Sequence, residues 1–183
     1  MSELTIYQQS EFPSIYKWQA IAFMRMEWTS IFYDDNLYMS ETYPPDFQPV
    51  HFVIAQDDSL LSYATLLTLN IPHAGVEYQT YGFGNLLTFP PYRKHGYGGQ
   101  ILQAATDFVK QSEADVAILF CDRLLEAFYA DKGWVVTHSP TRLGTPAQSQ
   151  EYAPSRMMLF VSEKGQRGKL SFETQPLHID SPW

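Results

Sequence analysis

The stretch Leu86–Gln103, LLTFPPYRKHGYGGQILQ, constrains this chain more than any other. It begins as an apolar run, breaks at Pro90-Pro91 and passes through Arg93-Lys94-His95-Gly96-Tyr97-Gly98-Gly99. Beyond the glycines, Ile101, Leu102, Ala105, Phe108 and Val109 recur at the spacing of a helix with one buried face. The order predicts a strand, a turn and a helix whose first turn is basic and glycine-rich. Such a helix start exposes N–H groups without intrahelical acceptors and the positive end of the macrodipole, a combination that binds phosphate. Gly96 and Gly98 lack Cβ atoms, so an anion can approach the backbone closely.

Two common phosphate loops do not fit. A Walker loop requires a Lys-Ser or Lys-Thr pair after its glycines, and none follows here. The dinucleotide fingerprint GxGxxG fails at its third glycine, because Ile101 stands there. The pattern Arg93-x-x-Gly96-x-Gly98 does fit Arg-x-x-Gly-x-Gly. It resembles the acetyl-CoA loop of the GNAT family of N-acetyltransferases, which grips the pyrophosphate, and LLTFPPY resembles that family's fourth strand. The resemblance implies a mixed α/β fold with a twisted central sheet and helices on both faces. It implies acetyl-CoA as co-substrate, with Leu86, Leu87 and Thr88 on the pantetheine arm and Arg93, Lys94, His95, Gly96, Tyr97, Gly98 and Gly99 at the pyrophosphate.

With 183 residues the chain suits one domain over 1–183, with a C-terminal extension from about 162. Hydrophobic residues at 45% and charged residues at 17% exclude a disordered chain. A net charge of −8 argues against nucleic acid as the main partner. The five histidines show no metal-ligand spacing, so no metal is expected. The single cysteine, Cys121, excludes an internal disulfide. No leader or long apolar run is evident, so the expectation is a cytoplasmic protein with no membrane partner.

Along the chain, Leu4–Tyr7 reads as a first strand. Pro13 opens a helix to about Trp28, with Ile15, Trp18, Ala22 and Met26 on the face expected to pack on the sheet. Phe32–Pro49 reads as irregular chain or a short helix, and Val50–Ala55 with Leu60–Leu69 as a hairpin. Val76–Thr88 is a strand whose Gly82 and Gly84 suggest a bulge, and Val116–Cys121 is a buried strand. His138–Arg156 reads as a polar loop, Met157–Val161 as a strand, and Lys164–Lys169 as a solvated turn.

Asp122–Trp134, DRLLEAFYADKGW, is the second informative motif. Asp122 suits an N-cap and Gly133 a C′ residue, with Leu124, Leu125 and Phe128 as the apolar face. The segment resembles the family's helix Asn-x-x-Ala-x-x-Leu-Tyr-x-x-x-Gly-Phe, with Tyr129 in the tyrosine position and Asp122 replacing the asparagine. The resemblance makes Tyr129 the general acid for the CoA thiolate and adds Asp122, Phe128 and Tyr129 to the cofactor side. The chemistry agrees, because a phenol with a pKa of about 10 is protonated at neutral pH and the leaving thiolate needs a proton. A backbone N–H near Thr88 would polarise the thioester carbonyl.

Gly133-Trp134, Ser139-Pro140-Thr141, Ala153–Arg156 and Trp183 also resemble aminoglycoside N-acetyltransferases of the 2′-amine class. Gly84 stands where that class keeps a substrate-binding glutamate, so the drug itself is not implied. Glu41, Glu77, Tyr81, Gly84 and Trp183 are the candidate acceptor residues, and Glu77, Tyr81 and His138 the candidate bases. The reading is direct acetyl transfer to a primary amine of a small molecule, including aminoglycoside-like or polyamine acceptors. The alternatives are a protein amine as acceptor or a non-catalytic acyl-CoA-binding module. A homodimer is compatible with the sequence.

Overall fold

The computed structural model describes residues 2–183. In chain order they form β1 (Glu3–Gln8), α1 (Ser14–Glu27), β2 (Val50–Gln56), β3 (Ser59–His73), β4 (Val76–Thr88) and α2 (Tyr97–Lys110). There follow β5 (Val116–Cys121), α3 (Glu126–Ala130), β6 (Val135–Thr137), β7 (Thr141–Thr145), β8 (Gln148–Tyr152), β9 (Ser155–Phe160), α4 (Glu163–Thr174) and β10 (Leu177–Ile179). Seven strands join a mixed sheet in the order β1-β2-β3-β4-β5-β9-β6, and β10-β7-β8 make a second sheet. The chain divides into two compact units, Met1–Leu67 with Asn85–Ala105, and Thr68–Gly84 with Thr106–Trp183.

In the first unit, β1, β2 and β3 pair antiparallel, with Ile6 opposite Phe52 and Phe52 opposite Ala64. The segment read as irregular, Phe32–Pro49, contains 3₁₀ turns at Asp34–Tyr38 and Pro45–Phe47. α1 buries Ala20, Ile21 and Met24, and Ala20 and Met24 pack with Val53, Leu60, Tyr63 and Leu87. The expected face is instead the outer one: Ile15, Trp18 and Met26 are 45%, 53% and 59% exposed. The correction has a simple cause. IYKWQAIAFM is apolar on more than one side, so helical period alone leaves the inward stripe undecided, and the shape of the sheet surface selects it.

In the second unit, β4 runs parallel to β5 from Thr80–Val116 to Phe83–Leu119, and β9 pairs antiparallel with both β5 and β6. Ile71, Tyr78, Val116, Ile118, Met158, Phe172, Leu177 and Ile179 form its core. The polar loop expected over His138–Arg156 is largely the β7–β8 hairpin, in register from Thr141–Tyr152 to Thr145–Gln148. The turn expected over Lys164–Lys169 is part of α4. Ser162 caps it by accepting from the Gly165 N–H at 3.1 Å. Its two glycines stand where a Cβ would collide with the Asp115 carbonyl and the Tyr78 hydroxyl, so close approach offsets their poor helix propensity.

α2 follows the predicted pattern: Ile101, Leu102, Ala105 and Val109 are each 0% exposed. Burying each of the larger aliphatics contributes about 1.5–3 kcal/mol, against about 1 kcal/mol lost at each of Gly98 and Gly99. Packing therefore sustains this helix despite its weak start. The helix after Asp122 is shorter than expected. It begins as a 3₁₀ turn, and Leu124 and Leu125 are 90% and 46% exposed rather than forming an apolar inner face.

Candidate active site

In the first unit, the end of β4 and the loop after it are fixed by bonds that the side chains of neighbouring strands and turns supply. The ladder between β4 and β5 stops at Phe83–Leu119, whereas β4 continues to Thr88. Asn85 sits in the left-handed region at φ 55°, just beyond the end of that ladder. Beyond it, Ser62 Oγ donates to the Leu87 carbonyl at 2.8 Å and lies 2.8 Å from Thr88 Oγ1. Ser62 has one hydroxyl proton, so Thr88 is the donor in the second bond. The Phe89 N–H donates to the Leu61 carbonyl at 3.0 Å, and Phe89 stacks on Phe23 of α1 with centroids 4.4 Å apart.

Arg93 Nε donates to the Thr88 carbonyl at 3.0 Å, and its Nη2 lies 2.7 and 2.8 Å from the two Glu27 carboxylate oxygens. The side chain therefore braces the loop against the end of α1. Lys94 at φ 67° and Gly96 at φ 80° curl the backbone between them into a left-handed turn, the kind of concavity in which successive N–H groups converge on an anion. His95 Nδ1 lies 3.1 and 2.9 Å from the Tyr92 and Arg93 carbonyls, which requires that nitrogen to carry its proton. Gly96 accepts from the Gln100 N–H at 3.0 Å, so the preceding N–H groups of Tyr97, Gly98 and Gly99 have no acceptor within the helix. No atom comes within 4 Å of a Cβ built at Gly96 or Gly99, and the space before the loop is open. Backbone donors, a dipole and room together fit a pyrophosphate.

In the second unit, Tyr129 is 7% exposed and packs edge-on to Phe83 and Phe128 at centroid distances of 6.4 and 5.1 Å. Burial raises its hydroxyl well above the ordinary phenol pKa, and Cys121 adds to the shift. Burial likewise pushes the Cys121 thiol up to about 11, reinforced by Glu126 and Asp122. A protonated phenol and a protonated thiol follow at neutral pH: an acid is present and a thiolate nucleophile is not. Asp122 accepts from the Leu124 N–H at 2.8 Å, confirming its capping role. Its Oδ1 is occupied by that bond, and Phe128 is 38% exposed beside Tyr129.

The acceptor candidates are dispersed. Glu41 is held by Lys17 at 2.6 Å and by Gln9 at 3.1 Å, which neutralises the charge expected to attract an amine. Glu77 is exposed near the start of β4, and Tyr81 packs edge-on to Phe108 at 5.9 Å. Gly84 is buried, and it is Gly82 that faces Trp183, where an added Cβ would lie 2.6 Å from the indole ring. Trp183 also packs on Phe120 with centroids 5.1 Å apart. Sequence reasoning missed a cavity of about 730 Å³ bounded by Cys121, Glu126, His138, Tyr152 and Arg156. Its one available signal was Arg156, a cation beside the apolar run Met157–Phe160 of a buried strand.

The chain belongs to the GNAT family: the family described as "Acetyltransferase (GNAT) domain" matches residues 3–137. It is accordingly an acetyl-CoA-dependent acetyltransferase, acting on an amine acceptor. An acyl-CoA N-acyltransferase from Pseudomonas aeruginosa superposes with a TM-score of 0.60 at 16% identity, covering 86% of this chain and 99% of that one. The GNAT family N-acetyltransferase YhbS from Escherichia coli, solved with CoA, has a TM-score of 0.61 at 15% identity over 97% and 90% of the two chains. A GNAT family acetyltransferase from Brucella melitensis, solved with acetyl-CoA, has a TM-score of 0.55 at 14% identity over 87% and 89%. At these identities the structures speak for the fold. No curated protein matches the sequence. Among the described residues, no helix is long and apolar enough to cross a membrane.

Proposed function

We propose that the protein transfers the acetyl group of acetyl-CoA directly to a primary amine of a small molecule, with Tyr129 as the general acid. The observation carrying this reading is the open, left-handed turn at Lys94–Gly96 leading into a helix start with unpartnered N–H groups, which fits the pyrophosphate of acetyl-CoA. Tyr129 is a proton-bearing phenol at neutral pH, and the Cys121 thiol, raised by burial, is withdrawn as a nucleophile. The amine lone pair forms the N–C bond while the thioester C–S pair leaves with sulfur. Tyr129 protonates that sulfur, the nitrogen releases its surplus proton to water, and solvent reprotonates the phenolate. The turn from Arg93 to Gly99 holds the pyrophosphate through backbone N–H groups, and Leu86, Leu87 and Thr88 hold the pantetheine arm. The Leu87 and Thr88 carbonyls accept from Ser62 and Arg93 and so are not free for the ligand, and the reading assigns the thioester oxygen to the Thr88 N–H.

Purified protein with acetyl-CoA and a panel of small amines, read by released thiol, tests the proposal. Amine-dependent thiol release with stoichiometric N-acetyl product supports it. Release that is independent of the amine, or acetylation confined to protein lysines, overturns it.

A further inference from the structure

The cavity of about 730 Å³ in the second unit holds an unusual charge. Arg156 is 2% exposed and lines this cavity. Its hydrogen-bond partners are all neutral: Thr137 Oγ1 at 2.7 Å, Thr141 Oγ1 at 3.1 Å, Ser139 Oγ at 2.7 Å and the Phe172 carbonyl at 2.8 Å. Among the described residues no carboxylate forms an ion pair with it, and Glu173 acts on it only at a distance. A guanidinium carries five N–H donors, so these four bonds leave one on Nη1. Burial lowers its pKa to about 10, which still leaves it charged at neutral pH. A buried cation whose hydrogen-bond partners are all neutral is stabilised by an anion in the cavity it bounds, which Asp122, Glu126 and Glu151 also line, and its remaining N–H can donate one charge-assisted bond to a carboxylate.

The same cavity also suits an amine. Glu126 accepts from Ser155 Oγ at 2.5 Å and lines the same cavity, as does Cys121. We infer that this cavity is the acceptor pocket and takes a small amine that also bears a carboxylate, the carboxylate read by Arg156 and the ammonium drawn to Glu126. The inference rests on the acetyl transfer proposed above. The amine that attacks is the deprotonated form, and the carboxylate takes no part in the bonds that change. A polycation would meet Arg156 without neutralising it, so polyamines and aminoglycosides are poor occupants.

Matched acceptors decide the matter on the wild-type protein: glycine against glycinamide, β-alanine against β-alaninamide, γ-aminobutyrate against its amide, with spermidine as the polycation. For at least one pair, kcat/KM for the carboxylate should exceed that of the carboxamide by about tenfold or more, mainly through KM. Equal or better use of the carboxamides or spermidine overturns this inference and leaves acetyl transfer standing. Nuclear magnetic resonance titration of γ-aminobutyrate reports binding apart from turnover: saturable shifts at Cys121 and Tyr152 are expected. Their absence overturns the pocket, and saturable binding with no turnover of any amine overturns its role as the acceptor site together with the proposed function. Arg156→Lys keeps the charge and removes the remaining Nη1 N–H. It should reduce the ratio of kcat/KM for carboxylate over carboxamide toward one, whereas a purely structural arginine would lower both acceptors alike and leave that ratio as in the wild type. If that variant does not fold, the wild-type pairs stand as the deciding result.

Discussion

The loop after β4 and the surroundings of Tyr129 are built on opposite principles. The loop is exposed from Arg93 to Gly96 and offers main-chain N–H groups, whereas Tyr129 and Arg156 are nearly inaccessible side chains whose properties come from what covers them. Even the ion pairs differ. Arg93–Glu27 is 46% and 41% exposed, but Lys164–Asp115 places its carboxylate at 9% exposure beneath Ser162 and the Gln79 N–H. A site made of backbone needs only the right turn, and its worth depends little on burial. A site made of side chains acquires its chemistry from desolvation.

The sharpest test of this contrast is Tyr129→Phe, which removes one hydroxyl. General acid catalysis contributes roughly 10²–10⁴-fold, and kcat should fall within that range while thermal stability and acetyl-CoA affinity hold. A wild-type kcat with chemistry rate-limiting would make Tyr129 a packing residue. The pH profile of the same enzyme should rise as the amine loses its proton. Because burial raises the phenol pKa, the descending limb expected of a free tyrosine near pH 10 should be missing. A fall centred there would contradict the burial argument.

Gly99→Asp breaks the other half of the comparison. There is room for the side chain, and a carboxylate in the first turn of a helix is itself stabilising, so the melting temperature should hold or rise. The same charge repels a pyrophosphate, and the Kd for acetyl-CoA measured by calorimetry should rise by about tenfold or more. Unchanged affinity would remove the loop from the site.

The ion pairs give smaller effects. Burial alone would raise the Asp115 carboxyl, but Lys164, Ser162 and the Gln79 N–H outweigh it and hold the pKa below the ordinary value. The group therefore adds stability above the ordinary carboxyl pKa, and that stability is lost as pH falls through its folded value. Asp115→Ala should lower unfolding stability by about 1–3 kcal/mol at pH 7 and flatten the acid limb of a urea-midpoint profile. Glu27→Gln, in the exposed pair, should change stability by no more than about 1 kcal/mol. By freeing Arg93 from a competing carboxylate it should tighten acetyl-CoA binding about twofold to fivefold at low salt, and an unchanged Kd would show that the brace does not compete with the ligand.

The sequence by itself determined the strand–turn–helix of residues 86–110, the glycine turn, the capping aspartate and the family. These are local properties: a fixed spacing of apolar residues, a residue without Cβ where φ is positive, a side chain that reaches its neighbour's N–H. It did not determine which stripe of α1 faces inward, because two stripes were apolar and only the surface formed by Val53, Leu60 and Tyr63 could choose. Nor did it show α4, whose glycines oppose a helix locally and favour it only because Asp115 and Tyr78 lie so close. Nor did it show the cavity or the neutral setting of Arg156, since that residue's partners lie 15 to 19 positions away from it in the chain and only folding gathers them. Burial, and with it the charge state of a side chain, is a property of the assembled tertiary structure; a sequence names the group, but only the packing around it sets the medium in which that group ionises.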